Sequence, residues 1–523
     1  MNADASSSAQ SRDTSLMLQS TSPSKQFVFF LLGVTLLRLL WHLLFNPIGI
    51  TGDEAYNWDW GRHLAWGYYS KPPGSAWLHG LVGFLSNDSL FAIKATATLL
   101  AGGSTLFFFL TLRHLFQERF AFWVGLVYLL CPGQLMVSSI LTADAQLLLY
   151  WNLSLFATVS ILFPKEEGKP RLADFALLSL AMMLGHLAKQ MMLIQFPLLI
   201  LAVIFIRPAL FKNPLLYLAP LISLISLIPP LYWNSQNDWI TIEHTAHHFD
   251  KEEFKIGELF ERFGALLGLS LVLLTPLAIA AIPRSLKQWF QIKRQLDPKT
   301  LFLILYGALP FAVMFVMTLR QDVNPNWPAV YHGGTLALAG IFYAFEDKRL
   351  TKAWHITLRI TITLSAVVVI IFTFAEFFFK VIGPAKAQRR TYWGYPELSA
   401  HIASHNPEQT HAIIVKGHRD GASEFAFNMP GKPEVHVWNE DDSISHQYDF
   451  WPGPDVGTPT LLIIERRKEK NLGEPSDRMK ESFEHIEFLA EYDLHPSRDF
   501  PKFRVYRTSP LQSWPSPIVS SRR

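Results

Sequence analysis

Long apolar runs with few charges recur from residue 26 to residue 380 and constrain this chain more than any other feature. A bilayer core about 30 Å thick needs roughly 20 apolar residues per spanning helix, and about eleven runs approach that length. They lie near residues 26–45, 90–113, 120–138, 145–163, 172–187, 190–206, 214–233, 263–283, 300–319, 328–346 and 355–380. The fifth and sixth are short enough to form one re-entrant pair. The sequence therefore predicts an all-α polytopic membrane domain over residues 26–383.

The composition agrees with a chain that lies largely in lipid. Charged residues make up 17% of the sequence, against the roughly 25% that is usual for soluble domains. The single cysteine, Cys131, excludes an intramolecular disulfide, a thiolate metal cluster and a redox pair. Because no Walker loop or dinucleotide fingerprint follows a strand, we expect neither nucleotide-driven pumping nor a cytosolic nucleotide-sugar donor. We expect no nucleic-acid partner either.

The short loops between the apolar runs predict the orientation, because Lys and Arg accumulate on the cytoplasmic side. A cytoplasmic N-terminus places on that side Arg113, Arg119, Lys165, Lys169, Arg171, Arg207, Lys212, Arg284, Lys287, Lys293, Arg294, Lys299, Lys348, Arg349 and Lys352. The opposite loops, residues 46–88, 141–144, 234–262 and 320–327, contain fewer basic residues. The candidate functional residues are therefore expected on the outer face.

Both ends of the chain differ from the apolar middle. Residues 1–25 are rich in Ser, Thr, Gln and Asp and are expected to form a disordered cytoplasmic tail. No cleavable signal is apparent. In residues 384–523 the strand-like stretches His411–Val415 and Thr460–Ile464 flank a helical candidate at 421–427. This region is predicted to be a soluble α/β domain, which an odd number of spans would place in the periplasm.

The first outer loop, residues 46–88, contains two adjacent carboxylates, Asp53 and Glu54, before an aromatic stretch. If Thr51 is a helix N-cap, Glu54 is its capping-box partner and has a structural role. Side chains of adjacent residues on a helix point about 100° apart, so one acid can cap while the other faces a pocket. Asp53 is the one we expect in the pocket.

The same loop contains one lysine in a stiff setting. Lys71 precedes Pro72 and Pro73, which restrict the backbone and hold the ammonium group near the lipid headgroups. That placement suits a phosphate. The alternative is an interfacial lysine that extends its side chain toward water.

Other ionisable residues lie in or beside the apolar runs, where charges are rare without a function or a partner. Asp144 is expected at the outer end of the fourth run, where it could instead cap a helix starting at Ala145. Lys189 lies between the fifth and sixth runs. Arg38, within the first, is expected to form an internal ion pair or to contact a lipid phosphate.

Three histidines, His244, His247 and His248, follow the seventh run. No His-Glu-x-x-His pattern accompanies them, and histidines in a polar loop are more often solvated than bound to metal. We therefore predict no metal site there.

Several motifs together resemble a known family, the GT-C fold glycosyltransferases related to protein O-mannosyltransferases and to the aminoarabinose transferases of lipid A. They are Gly52-Asp-Glu-Ala-Tyr, Tyr68-Tyr-Ser-Lys-Pro-Pro, Leu141-Thr-Ala-Asp-Ala, Leu187-Ala-Lys-Gln, Trp233-Asn-Ser-Gln-Asn-Asp-Trp and Asn324-Pro-Asn-Trp-Pro. The stretches from Ser423 and Gln447 resemble the tail of galacturonic acid transferases of lipopolysaccharide core. One departure is Ser70-Lys-Pro-Pro, where many bacterial members have Asp-His-Pro-Pro.

The resemblance implies a GT-C fold in a bacterial inner membrane and a polyprenyl-phosphate sugar as donor. The acceptor would be a hydroxyl of lipopolysaccharide, of another glycolipid or of a protein. Lys71, with Lys189 or Arg320, would neutralise the donor phosphate, which makes it a better leaving group. Tyr69 and Trp327 would contact the acceptor or the sugar.

The resemblance also implies a positioned carboxylate base for the weakly nucleophilic acceptor hydroxyl. Asp53 would be that base, with Glu54 or Asp144 assisting. Direct displacement would invert the anomeric centre. No cofactor would be required, and a divalent metal would be optional.

Two other functional classes are compatible with a polytopic chain. A lipid or solute transporter could use Arg38, Lys189 and Asp144 along its path, but inverted repeats and mid-membrane charges in both halves would then be expected. A non-catalytic scaffold would leave the Asp53-Glu54 and Lys71-Pro-Pro features unexplained.

Overall fold

The protein is described here from a computed structural model. It covers residues 22–46, 48–165, 168–247, 256–292, 296–324, 326–382, 394–441, 443–466, 473–494 and 501–515. The tail predicted over residues 1–25 lies outside these ranges up to residue 21, and the first helix already begins at Pro23.

The membrane region, residues 22–382, is almost entirely helical. Its α-helices are Pro23–Phe45, Gly52–Arg62, Gly74–Ser86, Leu90–Leu115, Glu118–Leu130, Pro132–Val137, Ala143–Leu162, Leu172–Ala188, Gln195–Ile206, Leu215–Ser223, Ile228–Gln236, Ile240–His247, Ile256–Leu273, Pro276–Ile292, Pro298–Leu303, Leu309–Met317, His332–Tyr343, Lys352–Thr373 and Ala375–Ile382. Short helical turns at Gln190–Ile194, Pro208–Lys212, Leu224–Leu227, Ile304–Ala308 and Trp327–Tyr331 connect or continue some of them.

Six of these helical segments are long and apolar enough to cross a bilayer. They are Pro23–Phe45, Leu90–Leu115, Ala143–Leu162, Leu215–Gln236, Pro298–Met317 and Lys352–Thr373. A seventh is possible if Gly257–Leu273 and Pro276–Gln291, which meet at 117°, count as one broken span. Several other runs expected to span are shorter or interrupted helices here, because prolines such as Pro132 remove a backbone donor inside the run.

Local sequence signals explain where the spanning helices begin and end. The hydroxyl of Ser89 accepts a hydrogen bond from the amide of Ala92, and that of Thr351 accepts one from Trp354. Such N-caps satisfy amide donors that have no partner inside the helix. At the other end, the first helix terminates at Asn46 in a left-handed conformation, a common C-cap.

Polar side chains inside the bundle are bonded to neighbouring helices. Arg38 is buried and donates to the carbonyl oxygen of Leu129 at 2.7 Å. Among the described residues it forms no ion pair, which differs from one of the two roles expected for it. Asn152 donates to Ser104 at 2.8 Å and to Tyr128 at 3.1 Å. These bonds lower the penalty of placing polar groups among apolar helices.

The C-terminal region, residues 394–515, contains a five-stranded mixed sheet. Strands β1 (Phe345–Glu346) and β2 (Arg349–Leu350) form a small hairpin in the membrane region, and β3 (Ala412–Lys416), β4 (Val435–Val437), β5 (Thr460–Arg466), β6 (Ile486–Asp493) and β7 (Lys502–Thr508) follow. Their order is β4-β3-β5-β7-β6. β3 is parallel to β4 and β5, whereas β7 is antiparallel to β5 and β6. The helices are Tyr395–Ala403, Arg419–Asn428 and Asp477–Ser482.

The helix Arg419–Asn428 connects β3 to β4, so the β-α-β unit expected from the sequence is present. This helix packs against Gly52–Arg62 of the membrane region. Gly52 permits the approach, because a Cβ added there would lie 2.6 Å from the Cβ of Asp420. Ser423 also donates to the carbonyl oxygen of Gly52 at 3.3 Å.

Aromatic residues of the first loop share one apolar core with the C-terminal region. This core includes Trp58 and Tyr56 from the loop and Phe425 and Phe427 from the sheet region. The hydroxyl of Tyr448 donates to Asp59 at 2.6 Å across the same contact. The two regions are therefore joined by a shared buried core.

Candidate active site

Asp53 lies in the first turn of Gly52–Arg62, where a carboxylate favours the positive end of the helix dipole. Its side chain is 54% exposed, and its Oδ1 lies 3.6 Å from a guanidinium nitrogen of Arg419. Arg419 comes from the C-terminal region, directly after β3. The carboxylate of Asp53 is thus exposed rather than part of the helix cap, and its placement in a pocket stays a prediction.

Glu54 occupies a different environment one residue later. The capping-box interpretation is confirmed, since Thr51 and Glu54 exchange hydrogen bonds of 3.0 and 3.2 Å. The carboxylate also accepts a hydrogen bond from Lys94 Nζ at 2.6 Å and one from the amide of Leu141 at 2.7 Å. Its side chain is fully buried. This placement favours a structural role for Glu54 over direct contact with a substrate.

Asp144 and Lys189, two separate candidates in the sequence, form one ion pair. Lys189 Nζ lies 2.6 Å from Asp144 Oδ1, and Asn326 donates to Asp144 Oδ2 at 2.8 Å. The alternative that Asp144 caps a helix starting at Ala145 is wrong, because the helix begins at Ala143 after Thr142. Asn326 belongs to the Asn324-Pro-Asn-Trp-Pro motif, so this ion pair brings three of the sequence motifs together.

Lys71 lies near enough to both ion pairs for their charges to act on its ammonium group. These charges are Asp53 and Arg419 of one pair and Asp144 and Lys189 of the other. Burial lowers the pKa of Lys71 below its usual value, and Arg419 and Lys189 lower it further against the attraction of Asp53. Within the described part of the chain, no ion pair or side-chain hydrogen bond involves Lys71.

The cations of this site differ in how far they are neutralised. Lys189 is paired with Asp144. Arg419 approaches both Asp53 at 3.6 Å and Asp420 at 3.5 Å. Burial raises the pKa of Asp420, but a hydrogen bond with His418 and the charge of Arg419 lower it overall, which keeps this carboxylate ionised. Lys71 is consequently the cation best placed to accept an anionic group from outside.

Tyr69 lies beside this group of charges. Its amide donates to Gln447 of the C-terminal region at 2.8 Å, and its half-buried ring lies 4.7 Å from the ring of His244. His248 and the side chain of His247 lie outside the described residues. The structure therefore gives His244 an aromatic neighbour and leaves the prediction of no metal site at these histidines as a prediction.

The other two candidates have less direct positions. Trp327 is half-buried and directly follows Asn326, which bonds Asp144. Arg320 is exposed. In the described ranges no side-chain contact joins Arg320 to Lys71 or to Asp144. The structure thus brings together most of the candidates but not Arg320.

Sequence reasoning missed Arg419 and Lys94. Arg419 follows a parallel strand and opens a helix, and the carboxyl ends of parallel strands are where ligands bind in α/β sheets. That signal could have marked Arg419 as a candidate. Lys94 lies in an apolar run, where an ionisable residue suggests a partner, although the sequence does not identify Glu54 as that partner.

Comparisons with known proteins agree with this architecture. Residues 70–233 match the family model described as dolichyl-phosphate-mannose-protein mannosyltransferase. The chain is 24% identical over 411 residues to the lipid A galacturonosyltransferase RgtD of Rhizobium johnstonii, an alignment that covers 77% of this chain and 82% of the relative. It is 26% identical over 275 residues to the undecaprenyl phosphate-alpha-4-amino-4-deoxy-L-arabinose arabinosyl transferase of Aeromonas salmonicida, covering 50% of this chain and 47% of that one.

The fold resembles that of a solved structure. ArnT from Cupriavidus metallidurans, crystallised with undecaprenyl phosphate, superposes with a TM-score of 0.62 at 13% sequence identity. The superposition covers 92% of this chain and 98% of ArnT. The arrangement of helices and C-terminal sheet is therefore shared well beyond the residues that match the family model.

Proposed function

We propose that this chain is a glycosyltransferase of the GT-C type that moves a sugar from a polyprenyl-phosphate donor to a hydroxyl acceptor. The observation that carries the proposal is that Lys71, a cation without an ion pair among the described residues, lies near enough to the Asp53–Arg419 and Asp144–Lys189 pairs for their charges to act on it. A cation without an ion pair can bind the phosphate leaving group, and an exposed carboxylate near it can act as the base. The similarity to RgtD and ArnT supports this choice of donor.

In the proposed reaction, Lys71 binds the phosphate that links the sugar to the carrier. Its positive charge stabilises the negative charge that develops on the phosphate as the bond between the anomeric carbon and the phosphate oxygen breaks. The bonding electrons leave with the phosphate. Lys189, held by Asp144 and through it by Asn326, is the second cation placed near this phosphate.

Asp53 is the proposed general base. Its exposed carboxylate accepts the proton of the acceptor hydroxyl while the hydroxyl oxygen bonds to the anomeric carbon, a step to which a positioned base contributes about 10²- to 10⁴-fold in rate. Attack opposite the leaving phosphate inverts the anomeric centre. Arg419 holds one side of the carboxylate and so fixes its direction. Tyr69 and Trp327 are proposed to contact the sugar or the acceptor.

The proposed location is a bacterial inner membrane. The basic loops favour a cytoplasmic N-terminus, and an odd number of spans would then place the C-terminal region in the periplasm, with lipopolysaccharide, another glycolipid or a protein as acceptor. No step of the reaction requires a cofactor. Assays with added divalent metal and with a chelator test that part of the proposal.

The test is release of the lipid carrier by the purified full chain in nanodiscs. A panel of polyprenyl-phosphate sugars is supplied with membrane extract as acceptor, and wild type is compared with Asp53→Asn. Glu408→Gln is the control, because Glu408 is also an exposed carboxylate. It precedes β3, whereas Arg419, which approaches Asp53, follows the other end of that strand. We expect release with at least one donor by wild type and the control, and a loss of about 100-fold or more in Asp53→Asn.

Two results would count against the proposal. Near-normal release by folded Asp53→Asn would exclude Asp53 as the base while leaving the transferase intact. No release from any donor by wild type would favour the transporter alternative instead.

A further inference from the structure

A cleft lined by cations lies at the ends of the spanning helices opposite the candidate active site. Leu90–Leu115 has Lys94, the partner of Glu54, near its start and reaches this cleft at its end. Pro298–Met317 begins at the cleft and leads toward Asn326, which bonds Asp144. Because an α-helix rises 1.5 Å per residue, helices of about 20 residues separate the cleft from the candidate active site by roughly the thickness of a bilayer core.

The cleft combines cations with aromatic rings. Its volume is about 730 Å³, and its lining includes Arg119, Lys299 and Lys348 together with Phe116, Phe120 and Phe345. No carboxylate is among the described residues that line it. Three cations around the same apolar rings repel one another unless an anion lies between them.

Contacts among these residues hold two of the cations over aromatic rings. The Arg119 guanidinium lies 5.8 Å from the ring centre of Phe345 and donates to the carbonyl oxygen of Lys348 at 3.0 Å. The Lys299 ammonium lies 5.8 Å from the ring centre of Phe116. Cation–π contacts of this kind hold the charged groups at the cleft without neutralising them.

Nearby carboxylates have other partners or positions. Glu118 lies 3.8 Å from Arg113, and Asp297 accepts from the amide of Thr300. Glu346 and Asp347 are exposed on the hairpin β1–β2. Among the described residues, therefore, no carboxylate forms an ion pair with the cations that line the cleft.

We propose that this cleft binds the phosphate group of an anionic phospholipid from the leaflet opposite the candidate active site. Basic pockets between membrane helices recognise such headgroups. The aromatic rings that line the cleft can pack against the glycerol and upper acyl carbons of a lipid, which a free phosphate ion lacks. Basic residues in the loops on one side of a membrane protein can have no role beyond setting its orientation. The test must therefore distinguish lipid binding in the cleft from attraction to the general surface charge. The proposal does not depend on sugar transfer.

The experiment is a native mass spectrometry titration of the purified full chain in detergent. Phosphatidylglycerol is compared with phosphatidylcholine of the same acyl chains. The cleft variant is Arg119→Gln/Lys299→Gln, and the control is Arg349→Gln/Lys352→Gln, which removes equal charge from exposed residues of the neighbouring hairpin and helix start. Thermal unfolding checks that each variant is folded, and Lys299→Gln alone replaces the double variant if it is not.

We expect wild type and the control to retain phosphatidylglycerol, with binding at least tenfold weaker in the cleft variant and weak binding of phosphatidylcholine throughout. Equal loss in the cleft and control variants would overturn the proposal, since it would show that only general surface charge attracts the lipid. Equal binding of both lipids by wild type would overturn it as well, because the cleft would then not distinguish an anionic lipid from a lipid without net charge.

Discussion

The guanidinium of Arg419 lies 3.6 Å from the carboxylate of Asp53 and 4.7 Å from the ring centre of Tyr56. Asp53 and Tyr56 belong to the first loop of the membrane region, whereas Arg419 opens a helix of the C-terminal region. The C-terminal region thereby supplies one side of the proposed catalytic centre. Because Asp53 keeps 54% of its side-chain surface exposed, this contact orients the carboxylate without covering it.

Arg419→Gln is expected to lower kcat by up to about fivefold with a smaller change in donor KM, since an ion pair with an exposed partner contributes on the order of 0.2–1 kcal/mol. Arg419→Lys should fall between wild type and Arg419→Gln, because lysine keeps the charge but lacks the planar guanidinium. Steady-state carrier release measures both parameters. Arg507→Gln, an exposed arginine on β7, is the control. Lower thermal stability with unchanged kcat would instead assign Arg419 a purely structural role.

Lys71→Ala is expected to weaken donor binding by roughly 10- to 100-fold, the effect of losing a charged contact to phosphate. Burial lowers the pKa of Lys71 below 10.5, so the ammonium form that binds phosphate is lost at a lower pH than for an exposed lysine. Donor affinity of the wild type should therefore fall as pH rises toward that range. Titration with a non-transferable polyprenyl phosphate at several pH values measures this. Unchanged affinity in Lys71→Ala would remove Lys71 from the phosphate site.

Glu54→Gln and Lys94→Met should each destabilise the protein by about 3–5 kcal/mol, because removal of one partner leaves the other charge buried and unpaired. Both side chains are at most 1% exposed. The double variant should recover much of this loss. Thermal unfolding in detergent provides the comparison, with Asp53→Asn as a neighbouring exposed control. Equal stability of the single variants and wild type would show that this ion pair is dispensable.

Glu424→Gln should raise stability at neutral pH. Glu424 is buried, and burial together with the charges of Asp420 and Glu54 raises its pKa well above the usual value of 4.5. The folded protein therefore keeps this group protonated where the unfolded chain ionises it, so stability falls as pH rises from 4.5 through the folded-state pKa.

Glutamine imitates the protonated form, which already accepts a hydrogen bond from Asn428 at 3.0 Å. Thermal unfolding across the same pH range should show a flatter profile for Glu424→Gln than for wild type, with Glu408→Gln unchanged. A wild-type profile that is as flat as that of Glu424→Gln would mean that Glu424 is ionised when folded.

Much of the local structure follows directly from the sequence. Hydropathy predicts the first span, and a short apolar stretch predicts the strand found at 412–416 to within one residue. Capping preference gives the capping box of Thr51 and Glu54 as one of the two roles open to Glu54. Each of these features depends on residues within one element, so a pattern of neighbouring side chains is sufficient to indicate it. The number of spans was less predictable, because breaks such as that at Pro132 depend on how a helix packs.

The candidate site itself required the tertiary structure. The sequence identifies Asp53, Lys71, Asp144 and Lys189 as separate candidates, because charge and proline patterns are local, and their side of the membrane stays a prediction. That Lys189 pairs with Asp144, that Lys94 neutralises Glu54 and that Arg419 reaches Asp53 are decided by packing between distant segments. Ion pairs form wherever folding brings opposite charges within a few ångströms, and spacing along the chain does not encode that distance.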